Sequence, residues 1–187
     1  MASYLVRGLA GISVALAASA SFAQDVSTNR VAAITDWSVF VDSNPTRCWS
    51  VSAPKESANT KDGRVVAVRR GDILLLVAYI PSKDAKGQVM FTGGYKFSPN
   101  TQVTLQIADQ TFSMFTVLED DPATSSNEDE FAWSPTDADD TKLLIAMKRG
   151  AAVVVTGLSS RGTTTKDTFS LLGFTAANAE AESRCEG

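Results

Sequence analysis

The side chains that most often carry out enzymatic chemistry are sparse in this sequence, which has no histidine among its 187 residues. Ser-His-Asp triads, histidine-ligated metal sites and histidine general bases are therefore excluded. Ser52-Ala53-Pro54-Lys55 matches the Ser-x-x-Lys pattern of penicillin-recognising enzymes, in which the serine opens a helix and the lysine lies one turn away. Here Pro54 follows a predicted strand and neither companion motif is present, so we predict no catalytic residue.

Carboxylates are concentrated between Glu119 and Thr141, where the sequence has nine acidic residues and no basic residue. Paired carboxylates can hydrolyse a glycosidic bond or hold Ca²⁺. The spacing Asp137-x-Asp139-Asp140, however, lacks the glycine and the distal glutamate of an EF-hand. We interpret residues 119–130 as a solvated acidic loop before a helix, with weak Ca²⁺ binding and carboxylate catalysis as alternatives. We predict no resident metal and no cofactor.

The densest polar stretch runs from Ser159 to Thr168 and carries two cationic side chains. Arg161 and Lys166 could bind an anion or a carboxylate of a partner. The alternative is the tip of a β-hairpin, because turn chemistry by itself explains Gly162. From this stretch we predict an interaction surface that consists of Ser160, Arg161, Thr163, Lys166 and Asp167.

These side chains are carried by a chain that is typical of antiparallel β structure. Residues 36–41 alternate apolar and polar, and about nine such short segments are separated by turn residues. Residues 73–80 are apolar without a break, which predicts a central strand covered on both faces. Arg70-Gly71 before this strand predicts a tight turn, and Gly93-Gly94 predicts a bulge or a close backbone approach. Short strands at this spacing favour a sandwich.

Two segments late in the chain predict helices. Acidic residues at 137–140, Lys148-Arg149 and the following Gly150 are the signals of a helix that ends at Arg149. Leu143, Leu144 and Met147 should form its buried stripe. The second helix should run from about Thr175, as its N-cap, to Arg184.

Residues 1–23 predict a secretory signal peptide. An arginine precedes an uncharged apolar run that is too short to span a bilayer, and Ser21-Phe22-Ala23 places small residues where a signal peptidase reads. No later segment is long and apolar enough to span, so we expect no transmembrane segment after cleavage. We predict a linker at 24–35 and a single domain at 36–187.

Cys48 and Cys185 are the only two cysteines. In an oxidising compartment an isolated pair favours a disulfide, whereas a redox pair usually needs closer spacing. Such a bond requires the C-terminal helix to fold back onto the strand that holds Cys48. Trp49, next to Cys48, should then pack near the bond in the core, and Trp37 and Trp133 should be core or rim anchors.

Composition excludes some classes and assigns none. The chain is 44% hydrophobic and 20% charged, which is typical of a globular protein. The formal net charge of −4 argues against a nucleic-acid partner that is bound by phosphate neutralisation.

Seven motifs between residues 36 and 185 show a resemblance to one family. They are Asp36-Trp37-Ser38-Val39-Phe40, Cys48-Trp49-Ser50-Val51-Ser52-Ala53-Pro54-Lys55, Asp62-Gly63-Arg64-Val65-Val66, Phe91-Thr92-Gly93-Gly94-Tyr95, Ala146-Met147-Lys148-Arg149-Gly150, Ser159-Ser160-Arg161-Gly162-Thr163 and residues 167–177. The pattern resembles the invasion-associated locus B family of exported proteobacterial proteins. The resemblance implies an immunoglobulin-like antiparallel β-sandwich with a C-terminal helix, exported to the envelope, and it supplies no catalytic residues.

The function that we expect is therefore an interaction with an unidentified protein or cell-surface partner, linked to host-cell association. The protein would be periplasmic, associated with the outer membrane or secreted. A structural or stress-related periplasmic protein is the first alternative, because a fold alone fixes no function. A carboxylate-based hydrolase is the second.

Overall fold

The computed structural model describes residues 29–44, 46–116 and 130–186. The predicted leader and nearly all of the acidic loop lie outside these residues. The strands are β1 (Arg30–Ile34), β2 (Trp37–Ser43), β3 (Thr46–Ser52), β4 (Glu56–Lys61), β5 (Arg64–Val65), β6 (Leu74–Ile80), β7 (Ala85–Thr92), β8 (Val103–Ile107), β9 (Gln110–Thr116), β10 (Phe131–Trp133), β11 (Ala152–Leu158) and β12 (Thr164–Ser170). The helices are α1 (Asp137–Arg149) and α2 (Phe174–Cys185), and a single 3₁₀ turn spans Pro81–Lys83.

The strands form one antiparallel sheet in the order β1-β2-β3-β6-β7-β10-β9-β8-β11-β12-β4-β5. The sheet folds over on itself into a sandwich, so that Phe91 of β7 meets Phe169 of β12 edge to face, with ring centroids 6.1 Å apart. The fold is therefore the mostly antiparallel β-sandwich, with a short helix and a C-terminal helix, that the sequence predicts.

The strand β6 is central, as predicted, because it pairs with β3 on one side and β7 on the other. The described chain covers only one of its two faces with core residues, so the predicted cover on the second face is not supplied by the described residues. Leu75 and Val77 are fully buried, whereas Leu74 and Leu76 on the opposite face are half-buried and lie outside the core cluster.

Residues 66–73 are not the tight turn predicted at Arg70-Gly71. The strand β5 pairs with β4 at one edge of the sheet, whereas β6 lies in the middle of the other half. The connecting chain must therefore cross between the halves of the sandwich. On the way, Gly71 donates its N–H to the carbonyl oxygen of Gly94 at 2.9 Å, which confirms the close backbone approach predicted at Gly93-Gly94.

We expect Gly94→Ala to lower the free energy of unfolding by about 1–3 kcal/mol more than Gly63→Ala does. Both glycines have positive φ, so both substitutions carry the same backbone cost. A Cβ at Gly94 would also lie 2.6 Å from the backbone of Gly71, whereas at Gly63 it would meet open space. Urea unfolding of the two variants checks this expectation, and equal losses would contradict it.

The helix α1 ends at Arg149 as predicted, and the acidic residues at 137–140 form its first turn. Thr136 is its N-cap, and the Thr136 side chain accepts a hydrogen bond from the Asp139 N–H. Leu143 and Met147 are buried as predicted, but Leu144 is only half-buried and Ala146 takes its place in the stripe.

The buried carboxylate of Asp140, in the first turn of α1, accepts a hydrogen bond from the Val89 N–H at 2.8 Å. This bond ties the start of the helix to β7. Burial raises the pKa of Asp140 above its ordinary value, and the hydrogen bond from Val89 opposes this shift.

The helix α2 begins one residue earlier than predicted and has a different cap. Gly173, not Thr175, is the N-cap, and it has a left-handed backbone conformation at φ 88° with no side-chain hydrogen bond. Phe174, Ala177 and Ala181 are buried, and the helix packs on β1, β2, β3 and β6.

Cys185 at the end of α2 forms the predicted disulfide with Cys48, with their Cα atoms 5.9 Å apart. The placement of Trp49 beside this bond is wrong, because neighbouring residues in a strand face opposite sides of the sheet. Trp49 stacks on Phe40, with ring centroids 5.5 Å apart, on the side away from the disulfide. Trp37 is a core residue, 1% exposed.

The sheet begins before the predicted domain boundary. The strand β1 lies within residues 24–35, which the sequence suggested as a linker, and it pairs antiparallel with β2. Within the described residues, no helix has the length and apolar character needed to cross a membrane.

Candidate functional site

A cleft of about 520 Å³ opens at one end of the sandwich, where β7 and β11 end and β10 and β12 begin. Three segments, at 68–70, 94–96 and 159–163, meet there with the ends of these strands. The first of them belongs to the chain that crosses from β5 to β6. The lining residues are Val68, Arg69, Arg70, Gly94, Tyr95, Lys96, Glu130, Ser159, Ser160, Arg161, Thr163 and Thr165.

One wall of the cleft is the turn from Ser159 to Thr163, which is held by four hydrogen bonds. The Ser159 N–H donates to the carbonyl of Thr163 at 2.9 Å, and the Ser159 Oγ accepts from the Thr163 N–H at 3.0 Å. Gly162 donates its N–H back to Ser159, and the Ser160 N–H donates to the carbonyl of Lys96. The turn is therefore preorganised, and Arg161 projects from a fixed backbone.

The floor of the cleft is a buried ion pair between Arg70 and Asp167, whose side chains are 6% and 0% exposed. The guanidinium donates two parallel hydrogen bonds to the carboxylate, at 2.8 and 2.6 Å. It also donates to the Gly93 carbonyl, and Ser57 donates its hydroxyl to Asp167 at 2.6 Å. Because both charges are satisfied within the protein, this pair is structural.

Tyr95 links the ion pair to the turn. The Arg70 guanidinium lies 5.1 Å from the centre of the Tyr95 ring, in cation–π contact. The phenol shares a hydrogen bond of 2.6 Å with the Thr165 hydroxyl. Burial raises the pKa of Tyr95 above its ordinary value, so the phenol stays protonated at neutral pH.

The rim of the cleft is positively charged. Arg69 and Arg161 are exposed, and neither guanidinium makes a hydrogen bond or ion pair to the part of the chain that the structure describes. Lys96 adds a third cation and Glu130 one anion, while Arg70 and Asp167 cancel each other. Three cations less one anion leave +2 on the lining residues that the structure describes, in a chain whose formal net charge is −4.

The five residues of the predicted interaction surface do not all lie together. Ser160, Arg161 and Thr163 line the cleft. Lys166 is exposed on the opposite face of β12, because it alternates with the buried Thr165 and Asp167. Asp167 is fully buried under Arg70, so it can orient the cleft floor but cannot contact a partner directly.

Sequence reasoning missed Arg69, Arg70 and Tyr95. The available signal was the pair Arg69-Arg70 before a glycine. In an extended segment neighbouring side chains point to opposite sides, so one arginine can enter the core while the other faces solvent. Its partner Asp167 lies 97 positions away, and no local pattern connects the two.

The Ser-x-x-Lys motif is occupied by structural contacts. The Ser52 hydroxyl donates to the Asp36 carbonyl at 2.8 Å, and Lys55 forms an ion pair with the Asp36 carboxylate. Hydrogen bonding from Lys55 lowers the pKa of Asp36. Ser52 ends β3 and opens no helix, so the helical geometry that the Ser-x-x-Lys pattern requires is absent here.

The arrangement around the cleft is suited to binding. Guanidinium, ammonium and hydroxyl donors converge on an open volume, which is the donor set that carboxylates and other anionic oxygens require. In the described part of the chain, no three Cys, Asp or Glu side chains cluster in a way that could hold a metal ion. The acidic residues weighed for Ca²⁺ or hydrolysis at 119–129 lie outside the described residues.

Comparison with known proteins identifies a family and a solved structure of similar fold. The family model described as invasion associated locus B (IalB) protein matches residues 37–182. The crystal structure of invasion associated protein b from Bartonella henselae superposes with a TM-score of 0.54 and 13% identity, covering 83% of this chain and 98% of that one. At this identity the likeness shows the fold alone. No curated protein sequence matches the chain significantly.

Proposed function

This chain belongs to the invasion-associated locus B family, and from that premise we propose that it is an exported, non-enzymatic protein that binds an acidic partner through the cleft. The observation that carries the proposal is the charge of +2 on the described lining residues, together with the preorganised turn that carries Arg161, within a chain of net charge −4. The partner is a protein or cell-surface component that presents carboxylates or other anionic oxygens.

The geometry supports recognition of an anionic group. Arg161 stands on a turn that is already fixed by hydrogen bonds, so little conformational entropy is lost from the backbone when it binds. Arg69 faces the same cleft from the crossing segment. Two guanidinium groups with neighbouring hydroxyls favour planar, bidentate contacts to carboxylates.

Two features support export. The leader pattern at residues 1–23 is the sequence signal for it. The disulfide between Cys48 and Cys185 is of a kind that persists in oxidising compartments and is rare in reducing ones.

The Bartonella neighbour is named for an association with invasion. From that name we infer for this chain only the type of partner, which is a component of a cell surface.

We expect the double variant Arg69→Glu/Arg161→Glu to bind its envelope partner about tenfold more weakly, or worse, because repulsion replaces charge-assisted hydrogen bonds. The measurement is chemical crosslinking of the exported protein in envelope extract, followed by titration of the captured partner. Binding of the unchanged protein should also weaken as the salt concentration rises.

The matched control is Lys148→Glu/Arg149→Glu, which makes the same charge change at the end of α1, outside the cleft. It should bind as the unchanged protein does. If both double variants bind equally, the cleft is not the binding site. If no saturable partner is captured at all, a structural role in the envelope becomes the better interpretation.

A further inference from the structure

The two halves of the sandwich have different outer faces. In β8, β11 and β12 the buried side chains alternate with outward ones, as expected for a sheet with one solvated face. Most of the outward side chains in register there are polar, namely Thr104, Gln106, Thr156, Thr164, Lys166, Thr168 and Ser170. The apolar exceptions are Ala152, Val154 and Leu158.

In the other half the outward side chains are mainly apolar. Cross-strand register places Val51, Leu76, Met90, Trp133 and Phe115 in one row that runs across five strands. A second row holds the stacked pair of Phe40 and Trp49 and continues through Ala78 to Gln88. A third row holds Leu74 and Phe131 with Thr92 between them. We call these nine residues the aromatic face: Phe40, Trp49, Val51, Leu74, Leu76, Met90, Phe115, Phe131 and Trp133.

Neither helix covers the aromatic face. Leu143 and Met147 of α1 and Phe174 of α2 belong to the same core cluster as Val39 and Val77, which point to the opposite side of the sheet. None of the nine residues of the aromatic face belongs to that cluster or packs against it. Phe115 is 46% exposed and the other eight are half-buried.

The composition of β6 indicates that this face has a cover in the functional protein. A strand with one solvated face alternates apolar with polar residues, whereas a strand covered on both faces is apolar throughout. All seven residues of β6 are apolar or aromatic, Leu74 through Ile80. The described chain supplies cover for one side only.

The face has the size of a protein interface. Strands β2, β3, β6, β7, β10 and β9 lie side by side, so at about 4.8 Å per strand the face is about 24 Å wide. Three rows of side chains extend it about 20 Å along the strands, which gives a flat footprint of about 500 Å². That footprint also contains the polar residues Ser38, Gln88 and Thr92, and it fits the centre of an interface of about 800 Å² per partner.

Its chemistry favours one occupant. A glycan or other small ligand needs convergent polar groups, and the long central row carries none. A charged partner needs complementary charge, but the charged side chains at outward positions of β2 and β3 are Asp42 and Arg47, which pair with each other at 2.6 Å. A second copy of the chain brings an identical neutral, apolar surface, and a twofold contact between identical patches is self-complementary.

We propose that the aromatic face is the interface of a homodimer, in which two copies pack sheet against sheet. Aligned sheets pack about 10 Å apart with their side chains interdigitated, which would bury the row from Val51 to Phe115 in both copies. The cleft at the end of the sandwich stays open in this arrangement, because its residues do not belong to the face. The dimer is therefore independent of the proposed partner binding.

The test is the molar mass of the exported protein, measured by light scattering across a wide range of concentrations. We expect the mass of two chains for the unchanged protein. Phe115→Lys and Leu76→Lys should each raise the dissociation constant about a hundredfold or more, because each places a like charge in both halves of an apolar contact. Thr156→Lys, on the outer face of the polar half, is the matched control and should stay dimeric.

Circular dichroism and urea unfolding show whether the lysine variants are folded. Phe115 has the most solvent-exposed side chain of the nine, so Phe115→Lys should disturb folding least. Folded variants with the mass of one chain support the proposal. The mass of one chain for the unchanged protein at high concentration overturns it, whether or not that monomer binds a glycan or vesicle. A dimer that both lysine variants leave intact also overturns it.

Discussion

Replacing Asp167 with alanine is expected to lower the free energy of unfolding by about 3–5 kcal/mol. The substitution leaves the Arg70 guanidinium, whose side chain is only 6% exposed, without its counter-charge. The remaining contacts of Arg70 are neutral, with the Gly93 carbonyl, the Asn59 side chain and the Tyr95 ring. A domain of this size has about 5–15 kcal/mol in total, so the loss should be visible as a large shift of the urea midpoint.

The matched control is Asp42→Ala, which breaks the ion pair with Arg47 at the same distance of 2.6 Å. The side chains of Arg47 and Asp42 are 49% and 27% exposed, so water replaces much of the lost interaction. This control should cost less than about 1 kcal/mol.

The double variant Arg70→Met/Asp167→Leu separates the loss of the pair from the burial of an uncompensated charge. Because it leaves no buried charge, it should recover most of the stability that Asp167→Ala loses. A loss for Asp167→Ala no larger than that for Asp42→Ala would show that the buried pair is not essential to the fold.

Removing the disulfide through Cys48→Ala/Cys185→Ala is expected to cost about 2–5 kcal/mol. The bond joins positions separated by 137 residues, so its loss frees a large part of the unfolded chain. The protein should still fold, because the core cluster contains many residues of both sheet halves that do not depend on the bond. Equilibrium unfolding in urea measures the difference.

The loss should be concentrated in α2. Its buried residues include two alanines, which bury little area, so the tether at Cys185 contributes much of its attachment. Hydrogen exchange should show α2 opening more readily than β6 in the variant. Thiol counting on the unfolded, unreduced parent protein is the control, and two reactive thiols there would contradict the disulfide. Equal protection of α2 in both proteins would contradict its tethering role.

The sequence by itself determined the local elements of this protein. Alternation of apolar and polar residues identified β2, and the acidic first turn with Gly150 after Arg149 identified α1. These signals are readable because they depend on neighbours within one turn or one strand. The family resemblance also came from the sequence. So did the cysteine pair, because two lone cysteines leave one partner for each.

Only the tertiary structure decided which distant residues meet. The pairing of β5 with β4 sends the chain across the sandwich and brings Arg70 to Asp167, 97 positions away. The alternation within a strand shows that its two faces differ, but it does not show which other strand lies beside it. A shift of the pairing by one residue would exchange the buried and the exposed face.

For the same reason Trp49 was assigned to the core and β6 was expected to be covered on both sides. Covering a face depends on where the helices dock, and both helices dock on the side of Cys48 and Val77. The face of Trp49 and Leu76 therefore lies outside the core of the described chain, and in our proposal a second copy covers it.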